Sequence, residues 1–182
     1  MRKTKDELVQ DIVGRLARRH STAVVLFHHA VAEGLGLGPT DHKCLDLLRE
    51  RGPLGGSELA AITGLTSGAI TGVVARLERA GFVRREQDPQ DGRKQILHIA
   101  LKQSPVEDLI NPLRKDVATM LEDFDPHQLT AIAEFLDRGT RLIYRHAALL
   151  RAEAISAMGR ASTREHTIST NSRVESGGRA RR

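Results

Sequence analysis

Apolar residues recur at helical spacing along most of this chain, and the pattern breaks where glycine and proline gather. Leu8, Ile12, Leu16, Val24, Phe27 and Val31 form one stripe, which predicts a long helix over 5–33. The run Gly34-Leu35-Gly36-Leu37-Gly38-Pro39 ends it. Thr40 is placed to cap a second helix, with Asp41 in the first turn, where the helix dipole favours an acid. Leu45 and Leu48 give that helix a buried face, and Gly52-Pro53 stops it. Gly55-Gly56 leads to a short helix, Ser57 to Thr63, with Leu59 and Ile62 inward. Gly64 breaks it. Thr66 caps a further helix to about Ala80, cored by Ile70, Val73, Val74 and Leu77, and Gly81 lies just past its end.

The period then changes from helix to strand. Phe82 to Glu86 reads as a short strand, Asp88-Pro89-Gln90-Asp91-Gly92 as a turn, and Leu97, Ile99 and Leu101 alternate as a second strand should. Two more helices follow. Val106, Leu109, Ile110, Leu113, Val117, Met120, Leu121 and Phe124 mark the first. Asp125-Pro126 separates it from the next, marked by Leu129, Ile132, Leu136, Ile143 and Leu150. Beyond about Gly159 the chain turns to Ser, Thr, Arg and Gly, which predicts a disordered tail. The fold class is mainly α with a small β-hairpin, as a winged helix-turn-helix plus a helical dimerisation region. The expected divisions are 1–38 (dimerisation helix), 39–102 (winged helix-turn-helix), 103–158 (dimerisation helices) and 159–182 (tail).

At 182 residues the chain suits one domain, or a small domain with a second helical layer. Cys44 is the single cysteine, which excludes an internal disulfide and fits a reducing compartment. No apolar run approaches the roughly 18 residues of a membrane helix, and no secretory signal core follows the basic N-terminus. A cytoplasmic protein is expected, without membrane partners. The net charge of +5 invites a nucleic-acid reading, but residues 159–182 hold six arginines against two acids. The other residues are close to neutral, so the placement of a few arginines must carry the argument.

That placement follows the short helix. A helix-turn-helix needs a tight turn between two helices and a second helix free to enter the major groove. Ala60 is small, as a close crossing requires. On the second helix Ser67, Gly68, Thr71, Gly72 and Ala75 lie opposite the core stripe. They are small or hydroxylated, so backbone can approach base edges, and threonine methyls can touch thymine. Arg76, a turn further, could reach a guanine or a phosphate. At the hairpin tip Arg93 and Lys94 suit a narrow minor groove, with Asp91 placed to orient Arg93. Arg84 and Arg85 face opposite sides of a strand, so at most one points along DNA. The DNA-contacting set is Ser57, Thr66, Ser67, Gly68, Ala69, Thr71, Gly72, Arg76, Arg84, Asp91, Arg93 and Lys94.

Over about residues 5–150 the sequence resembles the multiple-antibiotic-resistance regulator (MarR) family. The segments that carry the resemblance are Ser57-Glu58-Leu59-Ala60, Gly64-Leu65-Thr66, Arg76 through Arg85, and Asp88-Pro89-Gln90-Asp91-Gly92-Arg93-Lys94. Gly92 stands where many members carry another arginine. The resemblance implies a homodimer held by the N-terminal and last two helices. It also implies binding to a palindromic operator, usually as a repressor, with release by a small anionic or phenolic ligand, a metal or an oxidant. Independently, the apolar stripes of the outer helices exceed what a small winged domain can cover, and so need a partner.

The family's ligand pocket brings attention to Arg15, Arg18, His28 and His42 as effector-binding residues. His20, His28, His29, Asp41 and His42 could serve a metal only if three or four converged. Adjacent His28 and His29 diverge on a helix, so no metal site and no cofactor is expected. Cys44 sits beside Leu45 and Leu48 and reads as a small core residue. No catalytic constellation stands out, so an enzyme is not expected. The alternatives are an oxidant- or metal-responsive regulator of this fold, and a winged-helix protein-interaction module.

Overall fold

The structure, a computed structural model, describes residues 3–100 and 105–177, with side chains described as far as residue 157. Residues 1–121 pack as one unit and 122–182 as a second.

The first unit opens with α1 (Lys5–Asp11), capped by Thr4, whose hydroxyl accepts from the Glu7 amide while Glu7 accepts from the Thr4 amide. The expected single helix is interrupted here. Over Ile12–Leu16 the backbone widens into a π turn, with the Ala17 amide donating to the Ile12 carbonyl five residues back, before α2 (Ala17–Gly34) resumes. Hydrophobic spacing does not register one inserted residue in a helix. Helix α3 (Pro39–Arg51) is capped by Gly38, with proline in its first turn, not by Thr40. Proline there lacks only an amide that a helix start leaves unpaired anyway, so the helix begins two residues earlier than expected.

Next come β1 (Leu54–Gly55), α4 (Gly56–Thr63) and α5 (Ser67–Arg79). Gly64 ends α4 in the left-handed conformation, φ 76°, which permits the sharp turn. The Thr66 hydroxyl then accepts from the Ala69 amide at 3.2 Å, as its sequence position predicts. The axes of α4 and α5 bend by 114°, the crossing of a helix-turn-helix.

Strands β2 (Val83–Gln87) and β3 (Gln95–Ile99) form the expected hairpin, but the sheet has a third member. Its order is β1-β3-β2, all antiparallel, with Leu54 opposite Leu97 and Arg85 opposite Leu97 on the other side. A two-residue strand carries no alternation, so sequence periodicity misses it. Leu101, assigned to the second strand, lies outside the described residues.

The core gathers Cys44, Leu45 and Leu48 of α3, Leu59 of α4, the Ile70–Val73–Val74–Leu77 stripe of α5, and Val83 and Leu97 of the sheet. Full burial of a leucine such as Leu77 stabilises by roughly 2 kcal/mol. Helix α6 (Pro105–Leu121) joins it through Val106, which is fully buried, and an Arg49–Glu107 ion pair at 3.0 Å.

The second unit is α7 (Pro126–Gly177), opened by reciprocal bonds between Asp125 and Gln128. Its bounds run past the point at which the sequence turns polar, and residues 178–182 lie outside the described set. Low apolar content speaks against burial. It does not oppose a helix whose bonds are internal, and no proline follows Pro126. Among the described residues no single helix is long and apolar enough to cross a membrane.

Cys44 is fully buried, and desolvation, reinforced by the Asp41 carboxylate, pushes its thiol up to about 11. Thiolate is then scarce at pH 8. Native-state labelling by a disulfide reagent is expected to be on the order of 100-fold slower than in guanidinium. Equal rates in both would contradict a core role for this cysteine.

Candidate nucleic-acid interface

Helix α5 buries its apolar stripe and leaves Ser67, Gly68 and Thr71 exposed, with Gly72 and Ala75 half-buried. The small size at Gly68 is not demanded by the chain's own packing, because a Cβ there meets nothing within 4 Å. Thr71 is exposed and donates its hydroxyl to the Ser67 carbonyl at 2.9 Å.

Between α5 and the wing lies an open groove of about 690 Å³, lined among others by Ser57, Thr71, Arg85, Arg93 and Lys94. The structure therefore brings together the hydroxyls of two helices and the cations of the wing. Thr66, Ser67, Gly68 and Ala69 occupy the exposed start of α5 beside it.

The wing backbone is held by its own aspartates. Asp88 accepts from the Gln90 amide at 2.8 Å, and its own amide donates to the Lys94 carbonyl at 3.0 Å. Asp91 accepts from the Arg93 amide at 3.2 Å and pairs with Lys94 at 3.5 Å. This corrects one expectation: Asp91 does not orient the Arg93 guanidinium. An aspartate at a turn reaches the amide two residues on more readily than a long side chain. Among the described residues the Arg93 guanidinium has no ion-pair partner, and it is exposed.

The choice between Arg84 and Arg85 also resolves differently. Arg84 lies on the face of the sheet shared with His98, where it pairs with Glu86 at 2.7 Å. Arg85 shares the face of buried Val83 and Leu97, bonds Glu78 of α5 at 2.8 Å, and lines the groove. The signal was present in the sequence. Val83 must face the core, so Arg85, two residues on, faces the same way.

Arg76 is engaged within the chain itself. Its guanidinium forks onto Asp41 of α3, with Nε and Nη2 at 2.8 and 2.6 Å from the two carboxylate oxygens. Asp41 is only 4% exposed. The pair lines a separate cleft with Gly38 and Arg79, away from the groove that holds Arg93. Sequence spacing put Arg76 one turn beyond the reading face. It could not reveal a buried acid 35 residues earlier that claims it.

The four effector residues separate into two places. Arg15 binds Asp11 through two bonds of 2.8 and 2.9 Å and, with Lys3, holds that carboxyl down to about 2. Arg18 is exposed on α2. Ten residues of helix, ~15 Å, lie between Arg18 and His28. His28 and His42, by contrast, meet, with ring centroids 5.4 Å apart.

A helix-turn-helix with an exposed small-residue reading face, flanked by a wing that presents a free arginine, defines a winged-helix DNA-binding protein. Comparisons with known proteins agree. The MarR family profile matches residues 37–94. The uncharacterized HTH-type transcriptional regulator YcgE of Bacillus subtilis is 36% identical over 143 residues, covering 78% of this chain and 92% of that relative. The crystal structure of transcriptional regulator Tm0710 from Thermotoga maritima is similar with TM-score 0.55 at 25% identity, over 75% of this chain and 96% of that one. A MarR family protein from Bacillus stearothermophilus shares the fold with TM-score 0.58 at 21% identity, over 78% and 99%. The chain belongs to the MarR family: it is a DNA-binding transcriptional regulator, not an enzyme.

Proposed function

We propose that this regulator acts in the cytoplasm as a homodimeric repressor of a palindromic operator, released by a small effector. Residues 39–102 form the reading unit, and 1–38 with 103–158 form the dimer arm. The start of α5, with Ser57, Thr66, Ser67, Gly68, Ala69, Thr71 and Gly72, faces the major groove, and Arg93 and Lys94 enter the minor groove. The carrying observation is the shared groove of Ser57, Thr71, Arg93 and Lys94, with an exposed Arg93 guanidinium that has no ion-pair partner among the described residues. Electrostatic attraction to phosphate needs such a free cation.

The dimer reading is supported by apolar surface that the first unit leaves uncovered. Leu8, Ile12, Leu16 and Val24 are 39–47% exposed, and Leu109, Leu113 and Val117 of α6 are 39–43% exposed. A monomer rarely leaves so many large apolar residues uncovered in a stripe. A twofold dimer would set two α5 helices on half-sites ~34–36 Å apart. Sedimentation is expected to give a dimer, and Leu16→Glu with Leu113→Glu a folded monomer. A monomeric wild-type chain would contradict the reading.

An anionic or phenolic effector would need cations beside His28 and His42. Arg15 and Arg18 lie elsewhere, which weakens that chemistry. The function is tested by a gel shift on DNA flanking the protein's own coding region, followed by selection from genomic fragments. Specific, salt-sensitive binding is expected. Binding without sequence preference would overturn the operator reading.

A further inference from the structure

His28 comes from α2; His42 and Asp46 come from α3, one helical turn apart. Each offers one ligand atom, and these atoms lie within 4.8 Å of one another. Asp46 Oδ2 is 3.4 Å from His28 Nδ1 and 3.5 Å from His42 Nδ1. A tetrahedral ion bound at ~2.1 Å separates its ligand atoms by ~3.4 Å. Two of the three spacings are therefore already those of a coordination sphere.

The polar accounting at this point is incomplete. His42 is 1% exposed, and His28 Nδ1, the atom that faces Asp46, is buried with no hydrogen-bond partner. A buried nitrogen without such a partner is rare in folded proteins. Lys43, 3.4 Å from Asp46, competes for the carboxylate, but its side chain is 58% exposed and can turn into solvent.

We propose that His28, His42 and Asp46 form a site for a divalent first-row transition ion, with zinc as its probe and a fourth position open to water. Two imidazoles and one carboxylate suit such an ion better than calcium or magnesium, which take oxygen donors. Three protein ligands with an open position give exchangeable rather than structural binding. The ion cross-links α2, part of the proposed dimer arm, to α3. Asp41, next to His42, holds Arg76 of α5. The site is thereby one residue from the contact that positions the reading helix, and metal occupancy would bias operator affinity. That consequence rests on the DNA reading; the metal binding does not.

The test uses the full chain. Titration calorimetry with zinc chloride is expected to give one ion per chain, and cobalt(II) to give the visible absorption of a tetrahedral site. Asp46→Asn and His28→Gln, at positions that are not fully buried, are each expected to lower zinc affinity at least tenfold while preserving circular dichroism. Zinc should raise the melting temperature of the wild type but not of Asp46→Asn. No saturable zinc binding by the wild type, or binding undiminished in both variants, would overturn the site. A gel shift with and without zinc separates the two claims. Zinc binding without any change in operator affinity removes the regulatory consequence and keeps the site.

Discussion

Replacing Arg76 by alanine is expected to lower the melting temperature by roughly 5–10 °C, although the side chain is half exposed. The cost arises at the partner. Asp41 is buried, and without the guanidinium its carboxylate keeps only the weak field of the α3 N-terminus. Asp41→Ala should be milder, because it leaves behind an arginine that water can solvate. The double variant should melt well above the temperature expected from adding the two losses, since both remove the same pair. Thermal denaturation of the three variants measures this. Additive losses, or a larger loss for Asp41→Ala, would show that the fork contributes little. In DNA binding, Arg76→Ala should act through the orientation of α5. Its loss should therefore be similar across operator sequences rather than relaxed at one base.

The second large effect is on affinity. Arg93→Ala is expected to weaken operator binding about tenfold, and to reduce the salt slope by about one phosphate's worth or less. Among the described residues the guanidinium has no partner to lose, so stability should not change. Arg84→Ala is the control. Arg84 is engaged by Glu86 on the opposite face of the sheet, and its loss should alter affinity less than about threefold. Fluorescence anisotropy over a salt series would settle both. Equal effects at Arg84 and Arg93 would place the wing differently on DNA.

These two arginines illustrate how the site could be read before any coordinates. Arg93 was found from a turn that must project its tip, because Asp88-Pro89 and Asp91-Gly92 allow little else there. The bond from Arg76 to Asp41 is not legible in the sequence, because an exposed helical position looks the same whether its partner is DNA or a distant acid. The face of Arg85 is legible in the sequence, since Val83 sets the face of the strand. The meeting of His28, His42 and Asp46 is invisible in the sequence for a different reason. His28 and His29 diverge, as expected, but the convergence occurs across two helices, and Asp46 had no reason to be grouped with His28.

Periodicity, capping and turn chemistry by themselves determined the order of helices, the Thr66 cap, the buried face of α5, the hairpin and the winged helix-turn-helix class. All of these depend on residues within a few positions of one another, where backbone geometry dictates who can touch. Only the tertiary structure decided the third strand, the engagement of Arg76 by Asp41 and the meeting of His28 with His42 and Asp46. Those contacts join residues far apart in the chain, and their partners are chosen by how α2, α3 and α5 pack, which no local pattern encodes.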